Sequence, residues 1–525
     1  MKTVSIFNHV LGPVMRGPSS SHTAGSFHIG CMARSILGGT PRRAVLAFDP
    51  DGSFAATYQP QGADRGFAMG LMNKALTHAS FFTALQDAPR EGMELRYEVR
   101  PLAGADHPNT VELDLTSVDG VDLKLLARSV GGGEVEITSV DGRPVLFNGS
   151  AYELLVEVPA DHAGSAHELL SGAGGFLEQP VASRETDRWR LTARRKTALP
   201  ATVMDALGTL DSSARVWQSA PVYFVQQGQP LFRSAAEIVD IAERRDVTLG
   251  RLALAFEAEL LGLDESEVVA EMLRRYDIMA TSATDGLAPN FSGLQLLPAC
   301  AGSVFRAEAE GRLATGGLHT RAAARALAVM HVDAAMGVVC AAPTGGSAGV
   351  IPGTLITLAE ERSLTREQIA LALLAAGAIG LILAERATFA AEVAGCQVEI
   401  GASGAMAAAA VIDAVGGTAR QACDAAAISF QNTMGSVCDL LHGMVEIPCH
   451  TRNAAAAAGA LVNADLILGG YQNLIPLDET IDAVYAVGLA MPAELRCTSR
   501  GGLAVAPSAQ IIKPGCLNTG CRTCQ

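Results

Sequence analysis

The stretch Ile369-Ala370-Leu371-Ala372-Leu373-Leu374-Ala375-Ala376-Gly377-Ala378-Ile379-Gly380-Leu381-Ile382-Leu383-Ala384 is the longest uninterrupted apolar run in the chain. Its reading separates a membrane-embedded fold from a helical core. The run is too short, and too rich in alanine and glycine, for a convincing membrane span, so we read it as a buried helix. Small side chains let helices approach closely, and the alanine-rich sequence around it predicts a compact helical bundle. Apolar residues recur at helical spacing over Ala235 to Glu243, Arg251 to Leu261 and Glu265 to Tyr276, which extends the all-α prediction over 230–525. Glycine-rich breaks at 341–353, 395–404, 435–449 and 500–502 are where helix ends would converge on a site.

Upstream the pattern changes. Residues 1–150 combine a Gly/Ser-rich opening, a helical segment from Ser26 to Leu37, and alternating runs such as Ala44 to Phe48 and Val111 to Leu115, which predict an α+β domain. Over 151–225 the expected order is a strand (Glu153 to Val158), a helix (Ala163 to Ser171), two strands (Val181 to Ser183, Trp189 to Ala193), a helix (Ala201 to Leu210) and a strand (Arg215 to Gln218). That βαββαβ order resembles the small ligand-sensing ACT domains, and it makes a homodimer a reasonable expectation. The fold class expected is thus multidomain α+β, with a large all-α C-terminal domain.

Composition narrows the function. At 525 residues the chain exceeds one ordinary core. A formal charge of −15 argues against nucleic acid or an anionic membrane surface as the main partner. The eleven cysteines are odd in number and cluster toward the C-terminus, which favours a reducing cytoplasm and metal or redox use over disulfides. The opening residues show no secretory signal.

Three of the cysteines sit beside turn-forming or helix-breaking residues: Gly395-Cys396-Gln397-Val398-Glu399, Ser436-Val437-Cys438-Asp439 and Ile447-Pro448-Cys449. Three thiolates can hold a metal centre with one position open, although each thiol alone is equally a small buried hydrophobe. Gly17-Pro18-Ser19-Ser20-Ser21-His22-Thr23-Ala24-Gly25 places four hydroxyls and an imidazole ahead of a helix, where free N–H groups and the dipole suit a carboxylate. A serine/threonine cap would account for one or two of these residues. A second turn, Ala342-Pro343-Thr344-Gly345-Gly346-Ser347-Ala348-Gly349, lets backbone come close to a ligand, or is simply a loop.

Together these segments resemble the iron–sulfur-dependent bacterial L-serine dehydratases, also called L-serine ammonia-lyases, with β and α subunits fused. The matching motifs are Gly17 to Gly25, Gly395 to Glu399, Cys438 and Cys449 followed by Arg452-Asn453, and Gly501 to Ala504. The resemblance implies a [4Fe–4S] cluster on Cys396, Cys438 and Cys449, with one iron free to act as Lewis acid on a small amino-acid substrate and no need for pyridoxal phosphate. It also implies that Ser20, Ser21, His22 and Thr23 serve catalysis, and that Ser19, Asp64, Thr344, Gly345, Ser347, Arg452 and Asn453 bind substrate.

The chain departs from the family pattern in three loops. Gln61 stands where a histidine is expected, and glutamine cannot exchange a proton near neutrality. Asp439-Leu440-Leu441-His442-Gly443 replaces a proline- and glycine-rich segment, so His442 is a candidate substitute base or a structural residue. Gln295-Leu296-Leu297-Pro298 replaces glycine-rich and acidic residues. These changes point to L-serine or a related β-substituted amino acid as substrate. Sulfide elimination from cysteine and a non-catalytic iron–sulfur sensor are the alternatives. At the C-terminus Cys516, Cys521 and Cys524 follow a C-x4-C-x2-C spacing. They suit a second metal site completed by Cys497 (where relatives often carry glutamate), a cap on the open iron by Cys524, or an incidental tail.

Overall fold

The computed structural model describes residues 3–185 and 187–515. Cys516, Cys521 and Cys524, and the roles expected of them, lie outside the described residues. The chain divides into two units: one joins the segment up to Ser20 to everything from Gly228 onward, and the other is Ser21–Gln227.

In the first unit the apolar run lies within the helix Arg366–Arg386, where all but one of the residues from Ile369 to Leu383 are buried. A capping box starts the helix: Thr365 Oγ1 accepts from Gln368 N at 3.3 Å, and Gln368 Oε1 accepts from Thr365 N at 2.9 Å. By length and composition this helix could cross a membrane, yet 78% of its most apolar window is buried inside the protein. Its neighbours are the helices Leu249–Leu261 and Ile400–Ala414, and every residue of the latter is buried. Gly377 lets the opening segment pack closely, since a Cβ there would lie 2.6 Å from Ile6 Cγ2.

Ile6 belongs to a single wide turn, Ile6–Val10, held by one buried carboxylate. Glu257 accepts from Ser5 Oγ (2.6 Å), Ile6 N (2.8 Å) and Phe7 N (2.9 Å). Arg275 donates to Phe7 O at 2.9 Å and lies 4.5 Å over the Phe7 ring. The opening segment is therefore built into the helical unit. It continues into a short strand, Val14–Arg16, which pairs antiparallel with Val338–Cys340. Among the described residues from 230 onward the helices are thus joined by one strand, Val338–Cys340, which was not expected. The helix expected over Glu265 to Tyr276 runs on to Gly286, because no glycine or proline interrupts it earlier.

The unit Ser21–Gln227 holds two sheets. Six strands run in the order Glu94–Val99, Arg43–Phe48, Thr110–Thr116, Asp122–Gly131, Glu134–Val140, Arg143–Phe147, with only the first pair parallel. The helices Gly25–Leu37 and Ala63–Leu71 pack against each other beside this sheet. Four further strands, ordered Arg215–Ser219, Tyr152–Pro159, Arg188–Arg195, Val181–Glu185, are antiparallel throughout. With the helices Ala163–Ala173 and Ala201–Gly208 they follow the expected βαββαβ order around a core that includes Leu154, Val156, Leu170, Leu191 and Leu207.

Candidate metal centre and the loops around it

Gly395 precedes Cys396 with φ of 76°, a left-handed conformation that favours glycine, and a Cβ there would lie 2.7 Å from Ser436 O. The Cys396 loop and the loop before Cys438 are consequently in backbone contact. Gln397, wholly buried, fastens them: its N–H donates to Ser436 O (3.2 Å), its amide to Ala394 O (2.9 Å), and its Oε1 accepts from Gly435 N (2.8 Å). The glutamine after the cysteine thus has a structural reason. Cys396 Sγ, Cys438 Sγ and a carboxylate oxygen of Glu399 all lie within 4.8 Å of one another.

Cys449 is the first residue of the helix Cys449–Leu468. Helix N-termini favour negative charge, which suits a thiolate ligand. One turn on, Asn453 donates to Gly346 O and to Cys449 O, both at 2.9 Å, and accepts from Gly349 N at 3.2 Å. Arg452 donates to Val437 O (2.7 Å), contacts Cys396 Sγ (3.7 Å) and pairs with Asp439 (2.9 Å). Asp439 in turn accepts from Leu503 N at 2.8 Å, which docks the Gly501–Ala504 motif beneath the cysteine loops.

The electrostatics follow from this crowding. The hydrogen bond from Cys438, together with the Arg452 charge, holds the Cys396 thiol below its ordinary range. Cys438, bonded to the thiols of both Cys396 and Cys497 and buried, is pushed up. Burial and then the Cys396 charge push Glu399 well above the carboxylate range. Metal ligation would relieve this frustration by replacing shared protons with a cation. The donor chemistry, soft thiolates beside one carboxylate, fits an iron–sulfur centre.

The glycine-rich turn joins the same unit. Thr344 bonds to Glu399, its N–H donates to Ser347 Oγ (3.2 Å), and the two hydroxyls are 3.0 Å apart. A Cβ at Gly345 would sit 2.8 Å from Pro18 O, so the opening motif up to Ser20 lies against this turn. Ser19 and Ser20 accordingly share a unit with Cys396, Cys438, Cys449, Arg452 and Asn453.

Ser21, His22 and Thr23 begin the other unit, with Gln61 and Asp64. Thr23 Oγ1 donates to Gln61 O at 2.7 Å. His22 Nε2 lies 2.9 Å from Ser53 Oγ, its ring meets Phe54 edge-on, and burial lowers its pKa to about 4. Asp64 opens the helix Ala63–Leu71 and accepts from Arg65 N at 2.8 Å, while burial raises its pKa.

His442 has an exposed ring whose Nε2 is 2.9 Å from Ile512 O, on a backbone of φ 52°. Leu296 is held through its backbone: Glu446 accepts from the N–H groups of Gln295 (2.7 Å), Leu296 (2.9 Å) and Leu297 (2.9 Å). Leu296 then packs with Leu441 and Ala509 in a small apolar cluster.

The structure adds residues that sequence reasoning passed over. Glu399 stood inside a quoted motif but was assigned no role. Ser53 had no signal beyond being a serine near a turn. His331 and His450 are buried with ring centroids 5.3 Å apart, and Asp333 is buried with neither carboxylate oxygen hydrogen-bonded among the described residues. Burial and the Glu399 charge raise the Asp333 pKa, and burial lowers those of His331 and His450 to about 4 and about 3. The only hint in the sequence is that His450 follows Cys449.

Comparison with known proteins bears on the same segments. The family model for the serine dehydratase alpha chain matches residues 179–504. The probable L-serine dehydratase alpha chain of Bacillus subtilis (strain 168) is 38% identical over 283 residues, covering 54% of this chain and 94% of that protein. The L-serine dehydratase alpha chain of Peptoniphilus asaccharolyticus is 35% identical over 291 residues, covering 55% of this chain and all of its own length. A probable L-serine dehydratase beta chain of Bacillus subtilis (strain 168) is 38% identical over 156 residues, 30% of this chain and 69% of that protein. One polypeptide therefore carries stretches similar to both chains. The matched region is well over half of the sequence and contains every contact that ties Cys396, Cys438 and Cys449 together: the chain belongs to the serine dehydratase alpha chain family.

Proposed function

We propose that this chain eliminates water and ammonia from L-serine, or a related β-substituted amino acid, to give a keto acid, using a [4Fe–4S] cluster held by Cys396, Cys438 and Cys449. The observation that carries this reading is the convergence of Cys396, Cys438 and Glu399 within 4.8 Å, beside the helix that Cys449 begins. The names of the relatives, L-serine dehydratases, support the substrate. When bound, the cluster supplies a Lewis-acidic iron that polarises a substrate oxygen.

The protein's own contribution is positioning and proton handling. The turn Thr344–Ser347 and the hydroxyls of Ser19 and Ser20, which share its unit, orient the amino acid through hydrogen bonds. Burial keeps His22 neutral at pH 7, the form that accepts a proton, and Ser53 fixes its ring. Gln61, held through its backbone by Thr23, takes no part in proton transfer. Arg452 and Asn453 act mainly by holding the cysteine loops to the glycine-rich turn, given the contacts their side chains make. His442 and Leu296 shape the wall that sets substrate size. We further assign 151–225 as an ACT-like effector domain and 1–150 as the β-type domain, in a cytoplasmic homodimer.

The test is an anaerobic assay of the reconstituted protein for keto acid release across small amino acids. Turnover highest with L-serine is expected. An intact cluster with no turnover on any of them would sink the enzyme reading.

A further inference from the structure

One of the three readings of the C-terminal cysteines draws on Cys497, and those cysteines lie outside the described residues. Within the described residues the Cys497 thiol is hydrogen-bonded to that of Cys438, which in turn contacts Cys396. The backbone holds it there from both sides: Cys497 N donates to Cys438 O and Cys438 N donates to Leu495 O, each at 2.9 Å. Cys438 and Arg496 form a parallel bridge, and Cys497 itself adopts φ of 63°, unfavourable for a residue with a Cβ. Cys449 feels the charges of Cys396, Glu399 and Cys497. Four thiols from four separate segments thus converge in one unit.

We propose that Cys497 is a fourth thiolate ligand of the centre held by Cys396, Cys438 and Cys449. The inference rests on the cluster reading above and adds to it. Four cysteines are the usual complement of a [4Fe–4S] cluster. Of the four, Cys497 alone is half-buried, the other three being buried. Bound there, its thiolate would compete with a substrate oxygen for the same iron.

The test uses the full chain, reconstituted anaerobically with iron and sulfide, as wild type, Cys497→Ser, Cys524→Ser, and Cys300→Ser as an exposed-thiol control. Each is treated with ferricyanide and followed by iron analysis and electron paramagnetic resonance. An iron lacking a thiolate is the one lost on oxidation. Cys497→Ser should lose about one iron per chain and develop a three-iron signal, while the wild type and the other two variants keep all four. Thermal melts of the metal-free proteins separate this from misfolding. If Cys497→Ser behaves as wild type, or if Cys524→Ser is the variant that develops the signal, ligation by Cys497 is overturned while the cluster reading stands. If the wild type takes up no iron and sulfide, both fall.

Discussion

The side-chain oxygen of Gln397 accepts the backbone N–H of Gly435 at 2.8 Å, tying the loop that carries Cys396 to the loop that carries Cys438. The same side chain donates to Ala394 O. Replacement by alanine would leave Ala394 O unmet in a buried place, at about 1–3 kcal/mol, while the freed Gly435 N–H turns to solvent because Gly435 is exposed. We expect Gln397→Ala to lower iron retention more than it lowers thermal stability, because the loops separate before the helices do. Iron content after gel filtration, set beside a melting curve, checks this; unchanged iron content would show that the glutamine is dispensable to the centre.

Arg452 spans Val437 O, Asp439 and Cys396 Sγ with one guanidinium. Lysine presents a single point donor and cannot reproduce that fork. Arg452→Lys should therefore weaken the cluster although it keeps the charge, and a faster loss of cluster absorbance in air is the readout. Equal decay of variant and wild type would mean that the charge alone matters.

Glu257 gathers Ser5 and the N–H groups of Ile6 and Phe7 in the interior. Its glutamine variant can accept with only one side-chain atom, so Glu257→Gln should destabilise the helical unit by about 2–4 kcal/mol and free the opening segment. Hydrogen exchange at residues 5–11 will report the release. Protection equal to that of wild type would refute it.

Glu153 accepts from Asn148 N and Gly149 N, both at 2.9 Å, yet burial raises its pKa from 4.5 to about 7. The folded chain then binds a proton that the unfolded chain has released between those values, so this group's contribution to stability falls as pH rises through that window. The slope is about 1.4 kcal/mol per pH unit inside it and vanishes above and below. Glu153→Gln should flatten the decline between pH 5 and pH 7 when melting is followed in the unit Ser21–Gln227. A variant with the wild-type slope would assign the pH dependence elsewhere.

The helices, the order of elements along 151–225 and the cysteine motifs were legible in the chain because each is a local pattern. The run Ile369 to Ala384 reads as a core helix from its alanine and glycine content, and the βαββαβ segment from periodicities that switch between two and 3.6. The contexts of Cys396, Cys438 and Cys449 likewise singled them out, through the resemblance to serine dehydratases, without reference to distance. Cys497 shows the opposite case. Its spacing suggested partnership with cysteines further along the chain, and only the backbone bridge to Cys438 and Arg496 brings it to the others. Glu399 and Asp333 were likewise illegible, since what sets them apart is burial beside other acidic groups.

By itself, then, the sequence pointed to the helical core, the order of elements along 151–225, the likeness to serine dehydratases and three thiols worth singling out, all of which depend on neighbours within a few residues. Tertiary structure decided that Glu399 and Cys497 join those thiols, that Arg452 and Asn453 brace loops, and that the opening segment packs into the helical unit. These outcomes depend on which distant segments meet, and that is settled by the packing of the whole core and the pairing of its buried polar groups.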